Sequence, residues 1–447
     1  MTDTRSFREQ LVGNALPWAI LVGTAIRLLY AFVAQVEPWS DFESYLSTAH
    51  RINDGLSLQL RQSPGYPIFL SIFLRLYDGL VTIWLLNAVL GAMGVGLTYL
   101  ITHELWQDQG ISAISAWIVA LYPDLIVYAG IPASENLIIP LVLGIVLILV
   151  RGGSRDDKAR WVSAGLLLGC AFLVRGMLLG VLALFLIWIW QDVHERRWRV
   201  SLMPCALLVL STVLVVSPWT LRNWRVYHAF IPVTTQLGLG LWGGNNPEAD
   251  GEWAEEYLRR QEVPTSFNSS VHGLTTRTVE VDQDWFRTRQ ALKFIGENPK
   301  AVLALMVKKF GLFWGIKMDG VYRWSGALDL RLSLLVSTIG HAGMISLFLA
   351  GLLMTYPWSV EVRAVLVFTV YMLVLTVVFY FLTRYRLLLY PLWAPFVAYA
   401  TSQMMSRTRW WEAFPVSPKV VALLGVFLVA DWFWIVWRNL EKIGIAL

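Results

Sequence analysis

Long apolar runs separated by short polar loops form the dominant pattern along this chain. A helix that crosses a bilayer needs about 20 predominantly apolar residues, and about eleven segments match or approach that length. The pattern therefore predicts an all-α polytopic membrane protein. The predicted spans are residues 15–35, 80–102, 111–130, 134–150, 161–175, 176–191, 201–217, 332–354, 364–382, 387–404 and 418–437.

One long polar segment interrupts this pattern and divides the chain into three regions. Residues 1–217 form an N-terminal transmembrane module, whose first loop covers residues 36–66. Residues 218–331 are mixed in charge and carry Pro and Gly turns, which indicates a loop region with interfacial helices. Residues 332–447 return to apolar runs and are predicted to be C-terminal transmembrane helices.

Residues 301–316 are apolar but carry Lys308 and Lys309 at their middle. Charge at the bilayer centre is costly, so we predict an interfacial amphipathic helix here rather than a span. Counting this segment as a span would also place the basic loop at 405–419 on the opposite side of the membrane, against the charge bias described next.

The basic residues of the short loops predict the orientation, because Lys and Arg accumulate on the cytoplasmic side. With the amino terminus inside, thirteen basic residues lie in inside segments and four lie in the short outside segments. Residues 36–66 and 218–331 are therefore expected on the extracytoplasmic side of the membrane.

Composition excludes several other classes of protein. The chain is 56% hydrophobic and only 15% charged, with a mean hydropathy of +0.56, which does not fit a water-soluble surface. Two cysteines cannot build a disulfide scaffold. The net charge of +5 comes from basic residues beside apolar spans, so we expect membrane lipids as partners and no nucleic acid.

The first outer loop carries the strongest candidates for chemistry. Asp41 and Glu43 directly follow the first span, and paired carboxylates can divide acid and base work or share a divalent metal ion. The alternative is that Ser40 and Asp41 cap a helix. The other candidates in this loop, for substrate binding, are Tyr45, Arg61 and Tyr66.

Further charged residues fall at the same outer depth, where ionisable groups suggest function. Each arginine alone could be a snorkelling anchor, and Glu135 could be a first-turn acid favoured by a helix dipole. Converging together, they predict a pocket for a phosphate-bearing ligand, because guanidinium groups bind phosphate bidentately. These candidates are Glu135, Arg175, Arg222 with Asn223, and Arg384 with Tyr385.

The order of these motifs resembles the GT-C superfamily of integral-membrane glycosyltransferases, in particular bacterial relatives of the protein O-mannosyltransferases and of the lipid A aminoarabinose transferase. The resemblance covers about residues 15–400. It rests on the segments Asp41–Tyr45, Ser63–Pro67, Ser134–Glu135, Val174–Arg175, Pro218–Trp224, Gly244–Pro247 and Arg384–Leu387.

The resemblance implies a GT-C fold and a polyprenyl-phosphate-linked sugar as donor. It also implies a hexosyl- or pentosyltransferase with an acidic residue of the first outer loop as general base, for which we choose Asp41. The acceptor would be a glycan, a lipid or a protein. Phe42 separates Asp41 from Glu43 where some relatives have adjacent Asp and Glu, which leaves the role of Glu43 and any metal requirement open.

Two alternative functions remain at this stage. A flippase for lipid-linked sugars would need polar residues through the membrane midplane, whereas the predicted spans are apolar there. A polyprenyl-diphosphate-dependent polymerase or ligase would place its catalytic groups in a large late loop, so an Asp in the first loop argues against this alternative. The GxGxxG sequence at Gly238–Gly243 is not expected to bind a dinucleotide, because no strand precedes it.

Overall fold

The computed structural model confirms the all-α prediction. It describes residues 14–56, 62–151, 157–194, 199–260, 279–315 and 330–406, with isolated positions beyond 406, and no β-strand occurs among these residues. The helices are α1 (Ala15–Ala34), α2 (Asp41–Asn53), α3 (Gly65–Leu74), α4 (Leu80–Trp106), α5 (Gln109–Leu121), α6 (Pro123–Val127), α7 (Ser134–Val150), α8 (Lys158–Val174), α9 (Val181–His194), α10 (Arg199–Tyr227), α11 (Leu237–Gly244), α12 (Glu255–Arg260), α13 (Val279–Glu297), α14 (Pro299–Trp314), α15 (Leu330–Met354), α16 (Val360–Val378) and α17 (Tyr390–Ser406).

Five of the described helices, α1, α4, α10, α15 and α16, are long and apolar enough to cross a membrane. A sixth candidate is the predicted span 111–130, which bends by 53° between α5 and the helix starting at Pro123. The bend has a local cause, because the residue before a proline is pushed out of helical geometry. The predicted span 134–150 forms the shorter apolar helix α7, and apolar helix also covers 176–189.

The remaining predicted spans have different outcomes. Residues 161–175 and 387–404 fall largely on the helices α8 and α17. The predicted span at 418–437 lies mostly outside the described residues. The helix predicted at 201–217 continues as α10 to Tyr227, beyond the predicted start of the polar region at residue 218.

Close packing between the helices builds the frame of the site. The central helix α4 packs against α1, α5 and α7, and α8 packs against α7 and α10. Gly165 permits the approach of α8 to α10, because a Cβ atom there would lie 2.0 Å from the hydroxyl oxygen of Ser211. Between α15 and α17, the rings of Phe348 and Trp393 stack with their centroids 4.7 Å apart.

The two ends of this bundle carry different charged groups. At one end, where α4 and α7 finish and α8 begins, Arg151 Nε lies 3.1 Å from Glu104 Oε1, and Arg160 donates to the carbonyl oxygen of Ile148. The opposite end, where α7 begins and α8 finishes, carries Glu135 and Arg175. The chain therefore presents its basic short loop and its candidate site at opposite ends of the same helices.

The helix α14 covers the segment predicted to be interfacial, and its two central lysines lie in different environments. Lys308 is exposed, whereas Lys309 is completely buried and donates to Asn245 Oδ1 at 3.1 Å. Burial lowers the pKa of Lys309 to about 8. The sequence predicted an interfacial helix with two charges at its middle, and packing against Asn245 buries one of these two lysines.

The topology can be tested by cysteine labelling. We expect a cysteine at Asp250, which is exposed, to react with a membrane-impermeant maleimide from the outside of intact cells. A cysteine at Lys158, exposed at the start of α8, should react only after permeabilisation. Labelling with the opposite sidedness would reverse the predicted orientation.

Lys309 predicts a measurable pH dependence of stability. Its pKa is lowered in the folded state, so between about pH 8 and 10.5 the unfolded chain binds the extra proton and stability rises with pH. Relative to Lys309→Met, the wild type should gain roughly 1 kcal/mol per pH unit in this window, measured by denaturant unfolding in detergent. Lys308→Met should follow the wild type, and identical slopes for all three proteins would contradict the prediction.

Candidate active site

Four charged side chains meet at one end of the bundle, and each comes from a different part of the chain. Asp41 begins α2, and Glu135 lies in the first turn of α7. Arg175 directly follows α8. Arg384 belongs to a short 3₁₀ turn, Thr383–Arg386, between α16 and α17. We call these four residues the charge cluster.

Within the charge cluster the opposite charges alternate. Arg384 Nη2 lies 2.7 Å from Asp41 Oδ2, and Arg384 Nε lies 3.9 Å from Glu135 Oε1. Arg175 also pairs with Glu135 Oε1 through its Nη2 atom. Glu135 therefore lies between two guanidinium groups, and Arg384 lies between two carboxylates.

Burial changes steadily along the charge cluster. The Glu135 side chain exposes 3% of its surface, that of Arg175 12%, that of Arg384 24% and that of Asp41 51%. A buried carboxylate is stable only when it is paired and hydrogen-bonded. Arg175 supplies both a hydrogen bond and an opposite charge to Glu135, and Arg384 adds a second positive charge 3.9 Å away. Asp41 is the carboxylate that an incoming substrate could reach.

Ser134 and Tyr45 support the buried end of the charge cluster. Arg175 Nε donates to the hydroxyl oxygen of Ser134 at 3.2 Å, and that hydroxyl lies 3.4 Å from the hydroxyl of Tyr45. The Tyr45 ring packs edge-on against Tyr66 with centroids 5.2 Å apart. Burial raises the pKa of Tyr45, so its hydroxyl keeps its proton at neutral pH.

The turn after the first outer loop is fastened to the end of α8. Ser63 Oγ accepts a hydrogen bond from the backbone N–H of Gly176 at 3.1 Å. Gly65 lies so close to α8 that a Cβ atom would be 2.7 Å from the carbonyl carbon of Leu173. This contact holds the start of α3 against the end of α8, and α2, which carries Asp41, packs against α3.

The 3₁₀ turn Thr383–Arg386 directs its side chains to different places. Burial acts to lower the pKa of Arg384, but the carboxylates of Glu135 and Asp41 outweigh it and hold the pKa well above its ordinary value. The hydroxyl of Tyr385 is hydrogen-bonded to that of Tyr380. Arg386 turns inward, where it contacts the carbonyl oxygen of Gly315 and the His341 ring.

Arg222 and Asn223 are held by contacts around the end of α10. The Arg222 guanidinium lies over the rings of Trp219 and Tyr227, at 4.7 and 5.5 Å from their centroids. Asn223 Nδ2 donates to the carbonyl oxygen of Ile231 at 3.0 Å. These contacts shape the turn that follows α10, and a substrate-binding role for the two residues stays a prediction.

Two further predictions concern the first outer loop. Glu43 is exposed in the first turn of α2, while Arg61 lies outside the described residues. Ser40, at the N-cap position, makes no side-chain capping hydrogen bond. In the described part of the chain no three His, Cys, Asp or Glu side chains are grouped to hold a metal, so a divalent ion at Asp41 and Glu43 stays a prediction.

The glycine-rich helix α11 has a packing role. The backbone N–H groups of Gly238 and Leu239 donate to Asp284 Oδ1 at 2.8 and 3.3 Å. A Cβ atom at Gly238 would lie 1.9 Å from the carbonyl oxygen of Asp284, and one at Gly244 would lie 1.6 Å from that of Phe379. These glycines let α11 fit between α13 and the end of α16.

Two residues of this region were not singled out from the sequence as site residues: Tyr380 and Lys309. Arg386 belongs to the segment Arg384–Leu387 that carries the resemblance, and its spacing of two positions from Arg384 allows one arginine to face the site while the other anchors the turn. Nothing in the local pattern around Tyr380 or Lys309 indicates which side of its element is buried, because that depends on contacts with distant segments.

Comparison with known proteins places these residues in a wider context. Residues 61–221 match the family described as dolichyl-phosphate-mannose-protein mannosyltransferase. Over 154 residues, the chain is 33% identical to an undecaprenyl phosphate-alpha-4-amino-4-deoxy-L-arabinose arabinosyl transferase of Pseudomonas aeruginosa and to its namesake from Pseudomonas paraeruginosa. Each match covers 32% of this chain and 27% of the relative, so the aligned part spans about a quarter of the relatives' length.

Among solved structures, ArnT from Cupriavidus metallidurans bound to undecaprenyl phosphate aligns with a TM-score of 0.40 and 14% identity, over 86% of this chain and 79% of that one. The family match includes the segment that carries Glu135 and Arg175. The resemblance expected from the motifs is confirmed over the matched segments: residues 61–221 are similar to the dolichyl-phosphate-mannose-protein mannosyltransferase family, and 154 residues are similar to undecaprenyl phosphate aminoarabinose transferases.

Proposed function

We propose that this protein transfers a sugar from a polyprenyl phosphate to the hydroxyl group of an acceptor, with Asp41 as general base. The observation that carries the proposal is the charge cluster, in which a half-exposed carboxylate lies 2.7 Å from an arginine that is itself anchored on a buried carboxylate. The names of the relatives, which include sugar transfer from undecaprenyl phosphate and dolichyl phosphate, support the same chemistry.

In the proposed reaction the acceptor oxygen attacks the anomeric carbon of the donor sugar. The bond from that carbon to the phosphate oxygen breaks, the acceptor proton moves to Asp41, and polyprenyl phosphate leaves. A single displacement of this kind inverts the anomeric configuration. Asp41 suits the role because its carboxylate is accessible while Arg384 fixes its orientation, and a base must lie within hydrogen-bond reach of the proton that it takes.

The leaving phosphate gains negative charge, which fixed cations stabilise best in a site with little water. Arg384 and Arg175 both approach the same oxygen atom of Glu135. Their guanidinium groups hold more N–H donors than the carboxylates occupy, so each retains capacity for a phosphate oxygen.

We further propose that the reaction occurs on the extracytoplasmic face of a bacterial inner membrane. The charge cluster lies at the end of the bundle away from Arg151 and Arg160, and the basic short loops favour the cytoplasmic side. The donor would be a polyprenyl-phosphate sugar, and the acceptor a glycan, a lipid or a protein. The transferred sugar would be a hexose or a pentose.

Asp41→Asn should abolish sugar transfer while the protein stays folded. The amide keeps the shape of the side chain and an oxygen that can accept from Arg384, but it does not take up a proton at neutral pH. Loss of a positioned base lowers the rate by about 100-fold to 10,000-fold. The rate would be measured with purified protein in proteoliposomes containing a polyprenyl-phosphate sugar.

Glu43→Gln is the matched control on the same helix, because Glu43 is exposed in the same first turn. We expect a milder effect from this change. Wild-type turnover by Asp41→Asn would remove Asp41 as the base.

Arg384→Ala should weaken binding of the donor lipid by about 1.5–3 kcal/mol, the usual size of a hydrogen bond to a charged group. Arg384→Lys should recover only part of the affinity, because lysine lacks the planar fork of donors. Binding of polyprenyl phosphate would be measured in nanodiscs, with the exposed Lys300→Ala as control. Unchanged affinity in Arg384→Ala would show that this arginine serves only the fold.

A further inference from the structure

A fully buried lysine lies outside the charge cluster, and none of the carboxylates in the described part of the chain pairs with it. Lys309 exposes none of its surface, and its ammonium group donates to the neutral amide oxygen of Asn245 at 3.1 Å. Burying an uncompensated charge is costly, whereas an apolar side chain would fill the same space without that cost. The position therefore needs an explanation beyond packing.

Asn245 joins Lys309 to two other elements. Its Nδ2 atom donates to the carbonyl oxygen of Leu241 in α11 and to that of Val378, the last residue of α16, each at 2.9 Å. Both bonds require the amide nitrogen to face these carbonyls. An ammonium group has only donors, so Lys309 selects this amide orientation by binding the oxygen.

The segment held by Asn245 leads directly to the charge cluster. Phe379 follows Val378 and packs against Gly244. The backbone N–H of Phe381 donates to the carbonyl oxygen of Gly251 at 2.9 Å, and the ring of Tyr380 contacts that of Trp253 with centroids 4.9 Å apart. After Leu382 the chain enters the 3₁₀ turn that carries Arg384.

We propose that Lys309 is a positioning residue for Arg384. Through Asn245 it holds residues 378–382 in the path that lets Arg384 reach both Asp41 and Glu135. Arg384 has two carboxylates to contact, at 2.7 and 3.9 Å, so a small displacement of its turn would break one contact or both. The inference rests on the proposed function for its effect on catalysis, while the effect on the segment itself is independent of any activity.

The test compares Lys309→Met, which removes the donor and the charge, with Lys309→Gln, which keeps a donor. Lys308→Met, at the exposed neighbouring position, is the control. In hydrogen–deuterium exchange without substrate, the peptide containing Phe381 should exchange at least about tenfold faster in Lys309→Met, because its local opening becomes easier. Lys309→Gln should show a smaller increase, and Lys308→Met should match the wild type.

In the transfer assay, kcat should fall about tenfold or more in Lys309→Met with a smaller change in KM, because the variant misplaces a group that acts in the transition state. The same change in an Arg384→Ala background should add less than about twofold, since residues that act through one another are not additive. The partial rescue by Lys309→Gln should also appear in kcat.

Unchanged exchange at 378–386 together with unchanged kcat in Lys309→Met would overturn the proposal. So would full additivity with Arg384→Ala, or loss of folding in both Lys309 variants, because each result would make Lys309 a general structural residue. Faster exchange in a protein whose wild type transfers no sugar would instead contradict the proposed function and leave the positioning of the segment intact.

Discussion

A buried carboxylate between two arginines is the interaction on which the rest of the site depends. Glu135 is almost inaccessible, and both Arg175 and Arg384 approach the same oxygen atom. Removing one partner of a buried ion pair costs about 3–5 kcal/mol, because the remaining charge is left uncompensated. The start of α7, the end of α8 and the turn before α17 are therefore held together by electrostatics as well as by packing.

The same arrangement gives the two carboxylates of the charge cluster different work. Glu135 is buried and lies close to two guanidinium groups. Asp41 pairs with Arg384 and has half of its side chain exposed. Two acids with opposite environments can thus divide structural and chemical roles, as the acid and base of many enzymes do.

The four residues of the charge cluster could be selected from the sequence for one physical reason. Ionisable residues at the ends of apolar helices are expensive unless they meet one another, so Asp41, Glu135, Arg175 and Arg384 could be selected and assigned to one side before any geometry was known. The helical class followed from the length of the apolar runs. The bend before Pro123 and the shorter helices were harder to predict, because length alone does not say whether an apolar run is straight.

The burial of Lys309 could not be predicted, because the local sequence does not distinguish two neighbouring lysines in an amphipathic helix. The contact with the distant residue Asn245 distinguishes Lys309 from Lys308. Arg222 was predicted to bind substrate, and its neighbours in the sequence, Trp219 and Tyr227, supply the aromatic faces that contact its guanidinium group. These local contacts do not test the substrate-binding role, which stays a prediction. Local pattern therefore identifies candidates, and long-range contacts decide which of them share a site.

The most direct measurement is mass spectrometry of the lipids that co-purify with the protein. If the charge cluster is a donor site, the wild-type protein should retain a polyprenyl phosphate, with or without its sugar, at a level well above that in the surrounding membrane. Arg384→Ala prepared in the same way should lose it while retaining bulk phospholipid. Equal amounts of polyprenyl phosphate in both proteins, or none in the folded wild type, would contradict the assignment of this cluster as a donor site.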